Sequence, residues 1–172
     1  MEFLVVAPSV FRGRYTARTD APFVVFLIGM RINQFWKIRQ WLPTLLAMRP
    51  MLVELYSHPE KGFLSAEITL TLRGPVLIQY WRSFDDLDRF ARSRSDPHLP
   101  AWTEFNRTAA RNGSAGVFHE TYLVQPGQFE AVYANMPRFG LARAFEHVPA
   151  SGARETARGR LGGTAEPAVP SS

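Results

Sequence analysis

Residues 74–92 constrain this chain more than any other stretch. Val76-Leu77-Ile78-Gln79-Tyr80-Trp81 is a run of β-branched, apolar and aromatic residues that starts behind Gly74-Pro75 and stops before Ser83, the pattern of a buried strand. Ser83 is placed to cap the helix that follows, and Asp85, Asp86 and Asp88 put negative charge at its positive end. Phe84, Leu87, Phe90 and Ala91 then form an apolar stripe that can lie on a sheet. Asp96-Pro97 ends this helix. A second helical segment, residues 101–111, follows Pro100 with Trp102, Phe105 and Ala109 on one face, and His98 sits at the joint. Upstream, residues 63–72 alternate between Ile68, Leu70, Leu72 and Glu67, Thr69, Thr71; Arg73-Gly74-Pro75 turns that strand back as a hairpin.

Three more elements frame this unit. Residues 23–32 are apolar on both faces, which predicts a central strand. Phe35, Ile38, Leu42, Leu45, Leu52 and Tyr56 have the spacing of an amphipathic helix. Pro43 and Pro50 each remove a backbone donor, so a short turn before Pro43 and a kink near Pro50 are expected. Residues 117–124 form a fourth strand, with Val117, His119, Thr121 and Leu123 on one face and Phe118, Glu120, Tyr122 and Val124 on the other. A short fifth strand is expected at residues 128–133. The expected division is an N-terminal arm at 1–20, one folded domain at 21–137, and a mostly disordered tail at 138–172, because residues 151–172 lack apolar periodicity.

Composition narrows the chemistry. A chain of 172 residues, 46% hydrophobic and 13% aromatic, can bury a core. It has no cysteine, which removes disulfides, thiolate nucleophiles and thiolate-ligated metals. The net charge of +5 comes from 20 basic and 15 acidic residues scattered along the chain, without the basic stripe that nucleic-acid binding needs. No histidine pair has metal-ligand spacing and no phosphate-binding glycine loop occurs. The acidic start with its short apolar run is not expected to be a signal peptide, and no stretch reaches about 18 apolar residues. The expectation is a cytoplasmic protein without stable membrane insertion.

The order strand, helix, strand, strand, helix, strand is the split βαβ of a ferredoxin-like α+β domain: a four-stranded antiparallel sheet with both helices on one face. The other face would be bare and apolar. Face-to-face pairing of two copies into a dimeric α/β barrel would cover it, so a homodimer is expected.

Gly13-Arg14-Tyr15-Thr16-Ala17, Gly29-Met30-Arg31-Ile32-Asn33, Gln79-Tyr80-Trp81-Arg82-Ser83-Phe84, His98-Leu99-Pro100-Ala101-Trp102, Phe105-Asn106, Val117-Phe118-His119-Glu120-Thr121-Tyr122 and Tyr133-Ala134-Asn135-Met136-Pro137 together resemble the domain-of-unknown-function family 4188. The resemblance runs from about Gly13 to Gly140. It implies a monooxygenase-like member of the dimeric α/β-barrel superfamily, which holds antibiotic-biosynthesis monooxygenases, haem-degrading monooxygenases and haem aldoxime dehydratases.

Within that frame His98 occupies a position similar to the axial histidine of haem-degrading relatives, as base or haem ligand; the alternative is a residue that stitches the helix joint. His119 is a base or ligand if its face lines the barrel cavity, the arrangement favoured here; otherwise it is a core histidine, and Glu120 and Tyr122 line the cavity. Asn33, Gln79 and Trp81 are candidate substrate-orienting donors, and Trp102 and Phe105 candidate pocket walls or core. The leading expectation is oxidation of an aromatic or polyketide-like small molecule with no cofactor, in which His119 or His98 acts as base. A haem enzyme of the same fold and a non-catalytic ligand-binding dimer are the alternatives.

Overall fold

The computed structural model describes residues 9–93, 103, 107 and 113–163. The chain divides into two compact units, one of residues 23–123 and one made of both ends, 1–22 and 124–172.

The first unit is a ferredoxin-like α+β fold. Its strands are β2 (Phe23–Ile32), β3 (Phe63–Thr71), β4 (Gly74–Trp81) and β5 (Ala115–Val124), and its helices are α1 (Ile38–Ser57) and α2 (Phe84–Arg92). The sheet order is β3-β4-β2-β5, and β4 runs antiparallel to both β2 and β3. Register settles which residues share a face. Val24 opposes Trp81, Phe26 opposes Gln79 and Ile28 opposes Leu77. This row faces the helices: Val24, Phe63, Ala66 and Trp81 pack with Leu55 and Leu52 of α1 and with Leu87 and Phe90 of α2. At the other end of β2, Met30, Ile32 and Ala115 meet Trp41 and Leu45 of α1.

Helix α1 runs unbroken through Pro43 and Pro50, where the sequence predicts a break and a kink. Each proline forfeits one intrahelical bond, at about 3 kcal/mol. Trp41 and Leu45 flank the first, and Leu52 and Leu55 follow the second. These side chains anchor each segment to the sheet, and their burial offsets the loss.

The opposite face carries Val25, Leu27, Val76, Ile78 and Tyr80 by the same alternation. It is not uniformly bare: Ser65, Glu67 and Tyr80 on it are buried.

The strand β4 enters α2 through a polar junction. Ser83 caps α2 as its sequence predicts, its Oγ accepting from the Asp86 amide at 3.1 Å and donating to Asp86 Oδ2 at 2.8 Å. Arg82 Nε donates to Asp86 Oδ2 at 3.0 Å and Arg89 Nη1 to Oδ1 at 2.9 Å. Gly62, with φ +85°, leaves open the space this carboxylate fills. Burial pushes the Asp86 carboxyl up, but the hydrogen bonds from Arg82, Ser83 and Arg89 outweigh it and hold the group below its ordinary value. Phe84, expected in the sheet-facing stripe, is instead half exposed, and Asp86 takes the buried position.

The second unit corrects the expected arm and tail. Residues 11–18 are not an arm but strand β1 (Phe11–Arg18), the centre of a sheet ordered β6-β1-β7 with β6 (Tyr133–Met136) and β7 (Glu146–Pro149). The fifth strand of the sequence reading thus begins at Tyr133, where the expected segment at 128–133 ends. Helical turns at Leu141–Ala144 and Ala157–Arg160 fall within the expected disordered tail. Ala17, Tyr133 and Ala142 form the core here. Short strands interleaved with glycine and arginine carry too little periodicity to show this from sequence, and each is held by pairing with a segment over a hundred residues away.

Gly62→Ala should destabilise the protein by about 1–3 kcal/mol in urea unfolding, since it adds a Cβ at positive φ against Asp86. Asp86→Asn should cost about 2 kcal/mol near neutral pH, because both guanidinium partners lie largely in water. The lowered folded pKa places that stabilisation above the unfolded value of about 4 and removes it as pH falls through the folded value. The gap between the wild type and Asp86→Asn should therefore hold from pH 8 to 5 and shrink below pH 4.

Candidate functional site

The helix-bearing face of β2 and β5 holds the candidate site. His119 shares its strand face with Val117, and Val117 packs in the cluster beneath Trp41 and Leu45. The His119 ring lies 5.6 Å from the Phe26 ring at 39°, and Phe26 packs against the core formed with α1 and α2. The face bearing His119 is therefore the one that carries the helices, the reverse of the barrel-lining placement favoured from sequence. His119 is not a satisfied core histidine either. Its side chain is exposed and its imidazole makes no hydrogen bond among the described residues. An exposed imidazole against an aromatic ring, on an apolar floor of Phe26, Ile28 and Val117, can accept a proton from a flat molecule laid on that floor.

Glu120 and Tyr122 lie on the other face, as the alternation predicts. Tyr122 Oη donates to Glu120 Oε2, and that bond, with the carboxylate charge, raises the Tyr122 pKa. Phe118 shares their face, its ring lying over Gly29, where a Cβ would collide with it. Glu120 and Tyr122 are thus separated by the sheet from His119.

Gln79 and Trp81 stand on the same face as His119 but point into the packed core rather than a cavity. Trp81 is completely buried and its Nε1 donates to Gln79 Oε1 at 2.9 Å. The expected donors to a substrate satisfy each other. Their alternation is legible in sequence; the helix pressed onto them is not. Asn33 is exposed, accepts from Arg31 Nε at 3.1 Å and donates through Nδ2 to the Gly113 carbonyl at 3.1 Å, which ties the end of β2 to the start of β5. His98, Trp102 and Phe105 lie outside the described residues.

Phe26 is the site residue that the sequence leaves unmarked. Residues 23–32 are apolar at every position but Gly29 and Arg31, so nothing distinguishes one face from the other until register does. His147, given no role from sequence, is stacked on Tyr15 with ring centroids 4.5 Å apart, and Phe11 meets it edge-on at 4.7 Å. Both its ring nitrogens are buried without partners; burial, together with the nearby Arg138, lowers its pKa. No cluster of metal-ligating side chains occurs among the described residues, and no helix among them is long and apolar enough to cross a membrane.

Comparison with known proteins agrees with this architecture. Residues 23–141 match the family model described as monooxygenase af470-like. No curated protein matches the chain. Among solved structures, the aldoxime dehydratase OxdRE in complex with butyraldoxime superposes with a TM-score of 0.62 at 20% identity, covering 77% of this chain and 40% of that one. The chain thus spans two fifths of that enzyme's length. SnoaB, a cofactor-independent oxygenase from Streptomyces nogalater, gives a TM-score of 0.44 at 14% identity, covering 61% of this chain and 95% of its own. A dimeric protein of ferredoxin-like fold from Bacteroides fragilis gives 0.40 at 14% identity, with 59% and 96% covered. The chain belongs to the monooxygenase af470-like family, which carries the monooxygenase-like description expected from sequence.

Gln79→Ala should lower stability by about 1–3 kcal/mol in urea unfolding, by stranding the buried Trp81 Nε1 donor. A stability unchanged within about 0.5 kcal/mol would contradict the structural role of the pair.

Proposed function

We propose that this monooxygenase af470-like protein oxidises an aromatic or polyketide-like small molecule without a bound cofactor, as a homodimer, with His119 as general base. The observation that carries the reading is the exposed imidazole of His119, without a hydrogen bond among the described residues, beside the Phe26 ring on the helix-bearing face of the sheet. An activated CH2 flanked by aromatic rings loses a proton to His119. The resulting carbanion is itself the reductant for oxygen. One oxygen atom becomes the new carbonyl, and the other leaves as water with the two hydrogens of the CH2, so no outside electron donor is needed. The apolar floor favours the flat substrate and disfavours water at the carbanion.

Of the described histidines, the candidate base His119 and the half-buried His147 fit a resident haem poorly. An iron-bound imidazole is ordinarily oriented by a hydrogen bond at its second ring nitrogen; His119 has none among the described residues, and His147 is enclosed by aromatic rings. Pairing of two copies through the face bearing Phe118 and Tyr122, respectively 43% and 50% exposed, would cover those rings and leave the His119 face free.

Oxygen uptake with an anthrone-type phenol should be saturable in the wild type and about 10²–10⁴-fold slower in His119→Ala, with unchanged far-UV circular dichroism. Full activity in folded His119→Ala would refute the assignment. Haemin added to the wild type should give no saturable Soret shift that His119→Ala abolishes.

A further inference from the structure

An apolar groove lies at the far edge of the sheet from His119, between α1 and the edge strand β3. Leu45, Met48 and Leu52 of α1 form one wall, Ile68 and Leu70 of β3 the other, and the groove encloses about 500 Å³. Three strand spacings, roughly 14 Å, separate β3 from β5, so this is not the His119 site. Its walls are unusually apolar for an exposed place: Ile68 is 58% exposed and Leu70 80%. Arg49 is the one charged side chain in the lining. It forms no ion pair among the described residues, as Arg39 of α1 also does not, whereas Lys61 pairs with Glu54, Arg82 and Arg89 with Asp86, and Arg92 with Asp88.

We propose that this groove binds a free acyl-chain carboxylic acid, with the chain between α1 and β3 and the carboxylate on Arg49. The apolar lining from Leu45 to Tyr56 follows three turns of α1, roughly 16 Å, a length suited to an acyl chain. The volume is within the range of small-molecule sites, roughly 300–1,000 Å³. A chain laid there removes Ile68 and Leu70 from water without requiring their strand to move. The Arg49 guanidinium supplies the single charge-assisted contact that selects an acid over a neutral lipid.

The test is fluorescence titration with cis-parinarate on the full chain. The wild type should bind one equivalent saturably. Arg49→Gln should weaken binding at least tenfold, Leu70→Glu should abolish it, and His119→Ala should bind as the wild type does, which separates this site from the proposed catalytic one. Parinarate methyl ester should bind the wild type no better than the free acid binds Arg49→Gln. Equal affinity of acid and ester, or of wild type and Arg49→Gln, would overturn the proposal. So would absence of parinarate binding together with a dimer, measured by light scattering, that Leu70→Glu converts to a monomer; the groove would then be an interface between copies of this chain.

Discussion

The buried carboxylate of Asp86 is the contact on which the first unit depends. It receives Arg82 from the strand end, Ser83 from the cap and Arg89 from within α2, and it occupies the space left by a glycine at the entry to β3. One side chain thereby joins the end of β4, the start of α2 and the turn before β3. A carboxylate so buried is tolerated because every charge it meets is opposite and every lone pair has a donor. The direction in which α2 leaves the sheet follows from this junction, and with it the closure of Leu87 and Phe90 over Trp81.

From that closure the two faces of the sheet acquire different uses. The face under α1 and α2 takes Val24, Leu77 and Trp81 fully out of water, and the Gln79–Trp81 hydrogen bond lets a polar pair remain there without loss. Toward β5 the same face carries His119 with its ring exposed beside Phe26. At that end the imidazole has an apolar neighbour and no hydrogen-bond partner among the described residues. At the opposite end, the apolar residues of β3 and α1 outnumber what the core covers, and an accessible groove results. A single sheet face therefore supports a core and, on either side of it, two surfaces of different chemistry.

The candidate site was only partly legible in the chain. His119 stood out as a histidine in an alternating strand, and its separation from Glu120 follows from the pleat alone. Gln79 and Trp81 read from sequence as inward-facing donors because alternation tells that two residues share a face but not what covers that face. Phe26 was invisible for a related reason: in a strand apolar on both sides, no residue is marked until the register with β4 pairs it with Gln79.

Local signals in the chain suffice for the order of the ferredoxin-like elements, the β3–β4 hairpin, the span of β2 and the capping of α2 by Ser83. These depend on local signals: apolar runs, a Gly-Pro turn, a hydroxyl followed by acids. Long-range packing carries α1 through two prolines, joins both chain ends in a second sheet around β1, and lays the helices on the sheet face to which His119 belongs while its ring stays exposed. Each of these depends on contacts between residues far apart in sequence, where packing outweighs local preference and which no short window of residues contains.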